Sequence, residues 1–374
     1  SGGIDSSTVV ALMQAQSSKP VKTFTIGFRE KGYDEAEHAK AVAKHLGTDH
    51  TELYVSPEEA RGVIPQLPAL YDEPFADSSQ IPTSLISNLT RQHVKVSLSG
   101  DGGDELFGGY NRYAWTREIW SKMKWLPLSV RKLIAGLICS QPESRWNSLY
   151  HIVSAALPQT LRLRQAGVKI HKLGEIIQEQ NPDLIYRSLV SQWKSPCEII
   201  PGSKENETFL TKELGGISES DIEQRMMFLD GLTYLPDDLL VKVDRAAMGT
   251  SLETRIPFLD HRVVELAWRL PLEMKIKSGV GKKPIRKILE NHLPRELFDR
   301  PKMGFAIPVG DWLRGSLRDW AEDLLSEKQL GDSNVFDVSK IRGVWARHLT
   351  EGSGLAYQLW TVLIYQSWRE ANRQ

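Results

Sequence analysis

The sequence predicts an α/β protein whose parallel, twisted sheet carries helices on both faces and is followed by a mostly helical region. Three observations predict it. Over residues 1–110, β-type alternation and helical periodicity take turns along the chain. Two glycine-rich segments, Ser1–Ser7 and Ser99–Tyr110, fall where such a sheet places its binding loops. Beyond about Tyr110 the texture changes, because all eleven tryptophans lie between Trp115 and Trp368 and alternating stretches become few.

The elements follow in order. Val9, Leu12 and Met13 recur at helical spacing behind the opening loop, with Asp5, Ser6 and Ser7 as capping candidates. Phe24, Ile26 and Phe28 share one face of a strand over 21–28, and Ala36, Ala39, Val42, Ala43 and Leu46 mark a helix closed by Gly47. Residues 51–55 read as a strand, 58–71 and 81–92 as helices, and 94–98 as a short β-branched strand. Repeated β-α order implies parallel pairing. Residues 222–234, 263–270, 285–292 and 356–370 then show helical periodicity, and 195–218 reads as a surface loop rich in Pro, Gly, Ser and charge. Residues 1–110 are therefore expected to form the α/β core, with 111–374 as a helical region packed on it.

Composition narrows the class of function. The 374 residues are 41% hydrophobic, enough for a large core, and 47 basic residues balance 47 acidic ones, so nothing points to a polyanionic partner. No nucleic acid is expected, and no apolar run reaches the ~18 residues that cross a bilayer. Cys139 and Cys197 are far apart and outside any His or Cys cluster, which excludes a zinc site and a disulfide framework and fits a reducing, cytoplasmic setting. Both are expected to be core residues with inert thiols. None of the nine histidines has triad spacing to Ser or Cys. The chain opens inside a functional loop, without Met and without the strand that normally aims such a loop, so a longer parent is expected.

The loop Ser1-Gly2-Gly3-Ile4-Asp5-Ser6-Ser7 is not a Walker A motif, which occurs nowhere in the chain. Its glycines admit an anion close to the backbone, the amides of the turn and first helical residues point at it, and the hydroxyls of Ser1, Ser6 and Ser7 add donors. The pattern suits the pyrophosphate of ATP. Asp5 alone would repel phosphate, so it is expected to ligate magnesium shared with the phosphate oxygens. A glycine turn capping an ordinary helix is the alternative. The second motif, Ser99-Gly100-Asp101-Gly102-Gly103-Asp104-Glu105-Leu106-Phe107-Gly108-Gly109-Tyr110, follows a strand directly and sets three acids among glycines at its carboxyl end. It reads as a metal and reaction rim, or as a solvated turn.

These residues resemble the synthetase domain of glutamine-dependent asparagine synthetases, members of the pyrophosphatase-loop ATP enzymes with an adenine nucleotide α-hydrolase-like fold. The likeness extends along the chain through Thr23–Gly27, Asp72–Ser79, Asp244–Met248, Glu253–Asp260 and Arg300–Phe305. It implies that ATP sets its phosphates on Ser1–Ser7 and its adenine near Ile26, Ser99 and Gly100, with magnesium between Asp5 and Asp104. The implied reaction joins the substrate carboxylate to the α-phosphate, releasing pyrophosphate, after which ammonia displaces AMP. Lys302 matches the family lysine that stabilises charge as the adenylate forms; its alternative is a surface lysine in a turn. Lys283 is a further catalytic candidate, though adjacent Lys282 leaves the alignment ambiguous. Arg255 is either a carboxylate clamp for substrate or a structural ion-pair partner.

Asp101 stands where well-known family members carry Glu, a residue that binds ammonia or manages its proton. Aspartate is the expected acceptor, and another carboxylate, such as a surface-polysaccharide uronic acid, is the alternative. A lactam-forming relative, which would place Tyr at 101, and a non-catalytic nucleotide binder are further readings. The family's glutaminase half, with its amino-terminal cysteine, is absent, so ammonia derived from glutamine is expected from a separate N-terminal domain. The sequence leaves the oligomeric state open, with a homodimer among the expectations.

Overall fold

The computed structural model describes residues 2–28, 35–154, 166–211, 221–300, 307–351 and 354–373. They form a mixed α/β protein with small parallel sheets and two compact units. The first unit comprises Ser1–Asn111, Glu223–Ile307 and Ser367–Gln374, and the second Arg112–Ile222 and Pro308–Gln366. The first segment ends at Asn111, beside the boundary expected near residue 110, but Glu223–Ile307, expected in the helical region, groups with that first segment. What draws it there is a strand pairing and a shared core.

In the first unit the order is α1 (Ile4–Ala15), β1 (Lys22–Phe28), α2 (Ala36–Leu46), β2 (Asp49–Val55), α3 (Pro57–Arg61), α4 (Leu67–Tyr71), α5 (Gln80–Arg91), β3 (Val96–Leu98) and α6 (Gly103–Phe107). After the intervening second unit come α7 (Ile222–Leu232), a π-helical turn over Leu235–Leu240, α8 (Val241–Met248), β4 (Glu253–Arg255), α9 (His261–Arg269) and α10 (Lys283–Leu289). β1 pairs with β2 in parallel, Ile26 opposite Leu53, and β3 pairs with β4 in parallel, Ser97 opposite Thr254. Among the described residues these are two separate two-stranded sheets. Val96 and Leu98 are 43% and 39% exposed, so β3 lacks the covered faces of a central parallel strand.

Local chemistry explains the elements. Gly47 closes α2 in the left-handed conformation at φ 70°, where a side chain would strain the backbone. The helix expected over 58–71 is interrupted: α3 begins with a Ser56–Glu59 capping box, and a short 3-10 turn over Ile64–Gln66 separates it from α4. Pro65 and Pro68 lack the N–H groups that a continuous helix would need there. α1 is covered on two sides. Val9 packs in a cluster with Leu106, Phe107, Phe258, Ala267 and Ile285, while Ala11 packs in another with Val42, Leu289, Leu293 and Phe298. Leu12, expected on its buried face, is 39% exposed.

The second unit is helical among its described residues. Helix Leu128–Cys139 is tied to the end of helix Ala166–Ile177 by Arg131, whose guanidinium donates to the carbonyls of Ile177 and Glu179 at 3.2 and 2.7 Å. Trp193 Nε1 donates to Thr361 Oγ1 at 2.9 Å and joins its two sequence segments. Of the loop expected over 195–218, Pro196–Ile199 forms one helical turn, and 212–220 lie outside the described residues. Both cysteines are exposed, a correction to the expected core placement: Cys139 is the last residue of its helix and Cys197 lies in a single helical turn, so neither is on a long helix face that packs in a core. Burial by its neighbours, with Glu175 nearby, nevertheless pushes the Cys139 thiol up. No helix among the described residues is long and apolar enough to cross a membrane.

Candidate active site

The site is built by bringing the start of α1 against the loop that follows β3. Gly2 has φ 64°, and a Cβ there would lie 2.8 Å from the backbone nitrogen of Ala39, so only glycine fits the turn into α1. Gly3 is the N-cap, extended and without a side-chain cap, contrary to the expectation that Asp5, Ser6 or Ser7 would serve. Ser6 Oγ instead donates to the Gly3 carbonyl at 3.3 Å, and Ser7 is buried. The opening of a three-turn helix is thus left to backbone amides, the geometry that receives anions.

Across from it, Ser99 N–H donates to the Arg255 carbonyl at 2.9 Å, extending the β3–β4 ladder by one bond and fixing where the acidic loop begins. The two loops then touch. A Cβ on Gly100 would lie 2.7 Å from Ser6 N, and one on Gly103 would lie 2.5 Å from Asp5 Oδ1. Asp104, in the first turn of α6, shares a cation with Asp5. Lys282 Nζ contacts Asp104 Oδ1 at 2.7 Å and donates to Asp5 Oδ2 as well. Lys282 is buried; burial pulls its proton affinity down, but Asp104 and Asp5 outweigh that and hold it above a free lysine.

Lys282 arrives there through its backbone. It has φ 58°, unusual for a residue with a side chain, and its N–H donates to the Phe107 carbonyl at 2.8 Å. Lys283, the expected catalytic lysine, is the first residue of α10 and is half-buried. The lysine brought to the two acids is its neighbour, and the left-handed turn between them decides which one points in.

The remaining candidates separate clearly. Asp101 is half-buried, accepts from Ser99 Oγ, and its N–H donates back to Ser99 Oγ at 3.3 Å. Ile26 lies buried in β1. Arg255 is exposed, and its Nε donates to Glu253 Oε1 at 2.6 Å, the ion-pair arrangement weighed as its alternative role. Ser1 and Lys302 lie outside the described residues.

Sequence reasoning read Glu105 only as one of three acids on the rim and gave Tyr110 no role of its own. Glu105 is buried beside Asp104, and Tyr110 Oη donates to its Oε1 at 2.6 Å. Burial pushes Glu105 up to about 7 against that hydrogen bond, with the Asp104 charge adding to the rise. An acid directly after Asp104 in a glycine-rich run gave no signal of burial; the apolar Leu106-Phe107 pair beside it was the available clue.

These features define a class: a mixed α/β protein in which a glycine turn entering a helix is held against an acidic glycine loop by a buried lysine. Comparison with known proteins places the chain more narrowly. The family model described as asparagine synthase matches residues 1–370, and the chain belongs to that family. It is 30% identical, over its whole length and 55% of the relative, to asparagine synthetase [glutamine-hydrolyzing] 1 of Bacillus subtilis. A putative asparagine synthetase [glutamine-hydrolyzing] of Mycobacterium tuberculosis is 33% identical over 98% of the chain and 53% of the relative. The chain therefore spans about half the length of the curated relatives it matches.

Proposed function

We propose that this chain carries out ATP-dependent amidation of a carboxylate, most simply aspartate to asparagine. The observation that carries the reading is the meeting of α1's amide-lined N-terminus with Asp5 and Asp104 on one cation. In this reading a substrate carboxylate oxygen attacks the α-phosphorus, and the bond to pyrophosphate breaks. Ammonia then attacks the acyl carbon, AMP leaves with the bonding pair, and one proton is lost to give the amide. The turn at Gly2–Ser7 receives the phosphates, Ile26, Ser99 and Gly100 border the adenine, and Asp101 faces the ammonia step. Lys302 is assigned to charge on the forming adenylate by the family resemblance. Lys282, or Lys283 if the turn rearranges, supplies a second cation.

The donor set fits magnesium. Asp5 and Asp104 converge on a single positive charge, and no third acid, His or Cys joins them in a metal cluster among the described residues. Magnesium commonly takes one or two carboxylates and completes its shell with phosphate and water. When bound it would neutralise charge on the phosphate oxygens.

The relatives named for glutamine hydrolysis support glutamine as the nitrogen source through a separate glutaminase domain. A doubly covered twisted sheet, a homodimer and a cytoplasmic setting belong to the same reading. One observation favours a different acceptor: Asp101 is one methylene shorter than the family Glu and is tied to Ser99.

Acceptor-dependent release of pyrophosphate with ammonia tests the assignment, and aspartate is expected to give the highest rate. Failure of every carboxylate tried to give release would defeat it. Asp5→Asn is expected to weaken magnesium-ATP binding at least tenfold by calorimetry; equal affinity would remove Asp5 from the metal site.

A further inference from the structure

We propose that Lys282 is a metal placeholder, occupying the point between Asp5 and Asp104 so that the divalent cation enters only together with a phosphate-bearing ligand. This rests on the adenylation reading above and adds an order of binding to it. Three independent observations converge on Lys282. Its Nζ bridges both carboxylates, so the oxygens a metal would use already share one positive charge. Its backbone is held in the left-handed region at φ 58° by the hydrogen bond to Phe107 O, a conformation that costs about 1 kcal/mol or more and persists only where its surroundings enforce it. The space around it is matched closely: a Cβ on Gly109 would lie 2.0 Å from both Lys282 Cε and Asp104 Oδ1.

The consequence follows from charge balance. A divalent ion arriving alone must displace a buried ammonium whose ion pairs among the described residues are with these two carboxylates, leaving that ammonium beside the metal. With the ion arrives a polyphosphate carrying several negative charges. Lys282 then exchanges its carboxylate partners for phosphate oxygens within reach of the same side chain, and the carboxylates are released to the metal. The lysine's flexible four-carbon stem suits this exchange better than a planar guanidinium would. Lys282 is thus a positioning residue that keeps the two acids together at rest and couples metal entry to nucleotide entry.

Mn2+ binding to the full chain, followed by electron paramagnetic resonance with and without ATP, tests this. The wild type is expected to bind Mn2+ at least tenfold more weakly without ATP than with it, after correction for Mn2+ bound to free ATP. Lys282→Met is expected to tighten nucleotide-free Mn2+ binding at least tenfold while losing that coupling. Unchanged nucleotide-free affinity in a folded Lys282→Met or Lys282→Gln protein overturns the proposal. Should neither variant fold, the melting temperature of the wild type decides. Mn2+ alone is expected to leave it in place and Mn2+ with pyrophosphate to raise it, whereas equal shifts overturn the proposal. A wild type that binds Mn2+ under no condition, ATP included, overturns the adenylation reading itself, a result distinct from loss of the ordering alone.

Discussion

Gly103 and Asp238 show how single residues set the terms of this protein. At Gly103 a methyl group would press on the Asp5 carboxylate at 2.5 Å, and Asp5 cannot retreat without leaving Lys282. Gly103→Ala is therefore expected to destabilise the first unit by about 1–3 kcal/mol, the usual size of an overpacking penalty. It should also weaken ATP binding; denaturant melts and calorimetry read the two effects, and unaltered values in both would show that the loops are loosely apposed. Asp238 lies in the π-helical turn beside the Asp77–Lys242 ion pair, whose Nζ–Oδ2 distance is 2.6 Å. Burial first, then the Asp77 charge, push Asp238 up to about 7, while Lys242 pulls the other way. Tyr71, also facing this group, is raised and stays neutral. The folded protein thus holds the Asp238 proton more tightly than the unfolded chain does, so stability falls as pH rises from about 4 to about 7. Asp238→Asn is expected to flatten that slope and to gain on the order of 2 kcal/mol over wild type at pH 8 but not at pH 4. Urea melts at the two pH values read this directly, and an equal difference at both would assign the slope elsewhere.

At the scale of elements, much of the first unit was legible in the sequence. The alternation of Phe24, Ile26 and Phe28, the periodicity ending at Gly47 and the β-branched run before Ser99 correspond to β1, α2 and β3. What escaped had a physical cause each time. The chain over 58–71 has helical periodicity, yet its prolines remove the amides a single helix requires. β4 is three residues long, below the span at which alternation can be recognised, and it exists because β3 supplies its partner. The choice between Lys282 and Lys283 depends on a left-handed turn, and lysine carries no propensity for one. The junction of these elements is Phe258, which follows β4 and sits against Phe107 of α6 with ring centroids 6.1 Å apart. Phe258→Ala is expected to cost about 3 kcal/mol, read by chemical denaturation, and to weaken ATP binding as α6 loosens. A cost below 1 kcal/mol would mean that β4 and α6 hold their places without it.

At the scale of the molecule, the first unit is drawn from three separate stretches of chain, with the second unit inserted into its sequence. The sequence showed the change of texture at Tyr110 but not the return, because Glu223–Ile307 looks as helical as the segments around it. A fragment ending at residue 110 keeps the opening loop and the acidic loop but loses β4, α10 and half of the core around Val9. It is expected to show no cooperative thermal transition by circular dichroism, and a sharp transition would indicate that residues 1–110 fold on their own. The pairing of β3 with β4 also governs how the protein is born. Their partner positions are separated by roughly 150 residues, which a ribosome takes roughly 10–30 s to make. Through that interval β3 has emerged without its mate, and the acidic loop has no ladder to anchor it. Through the same interval the nascent chain carries an open strand edge that a neighbour on the same messenger could pair with.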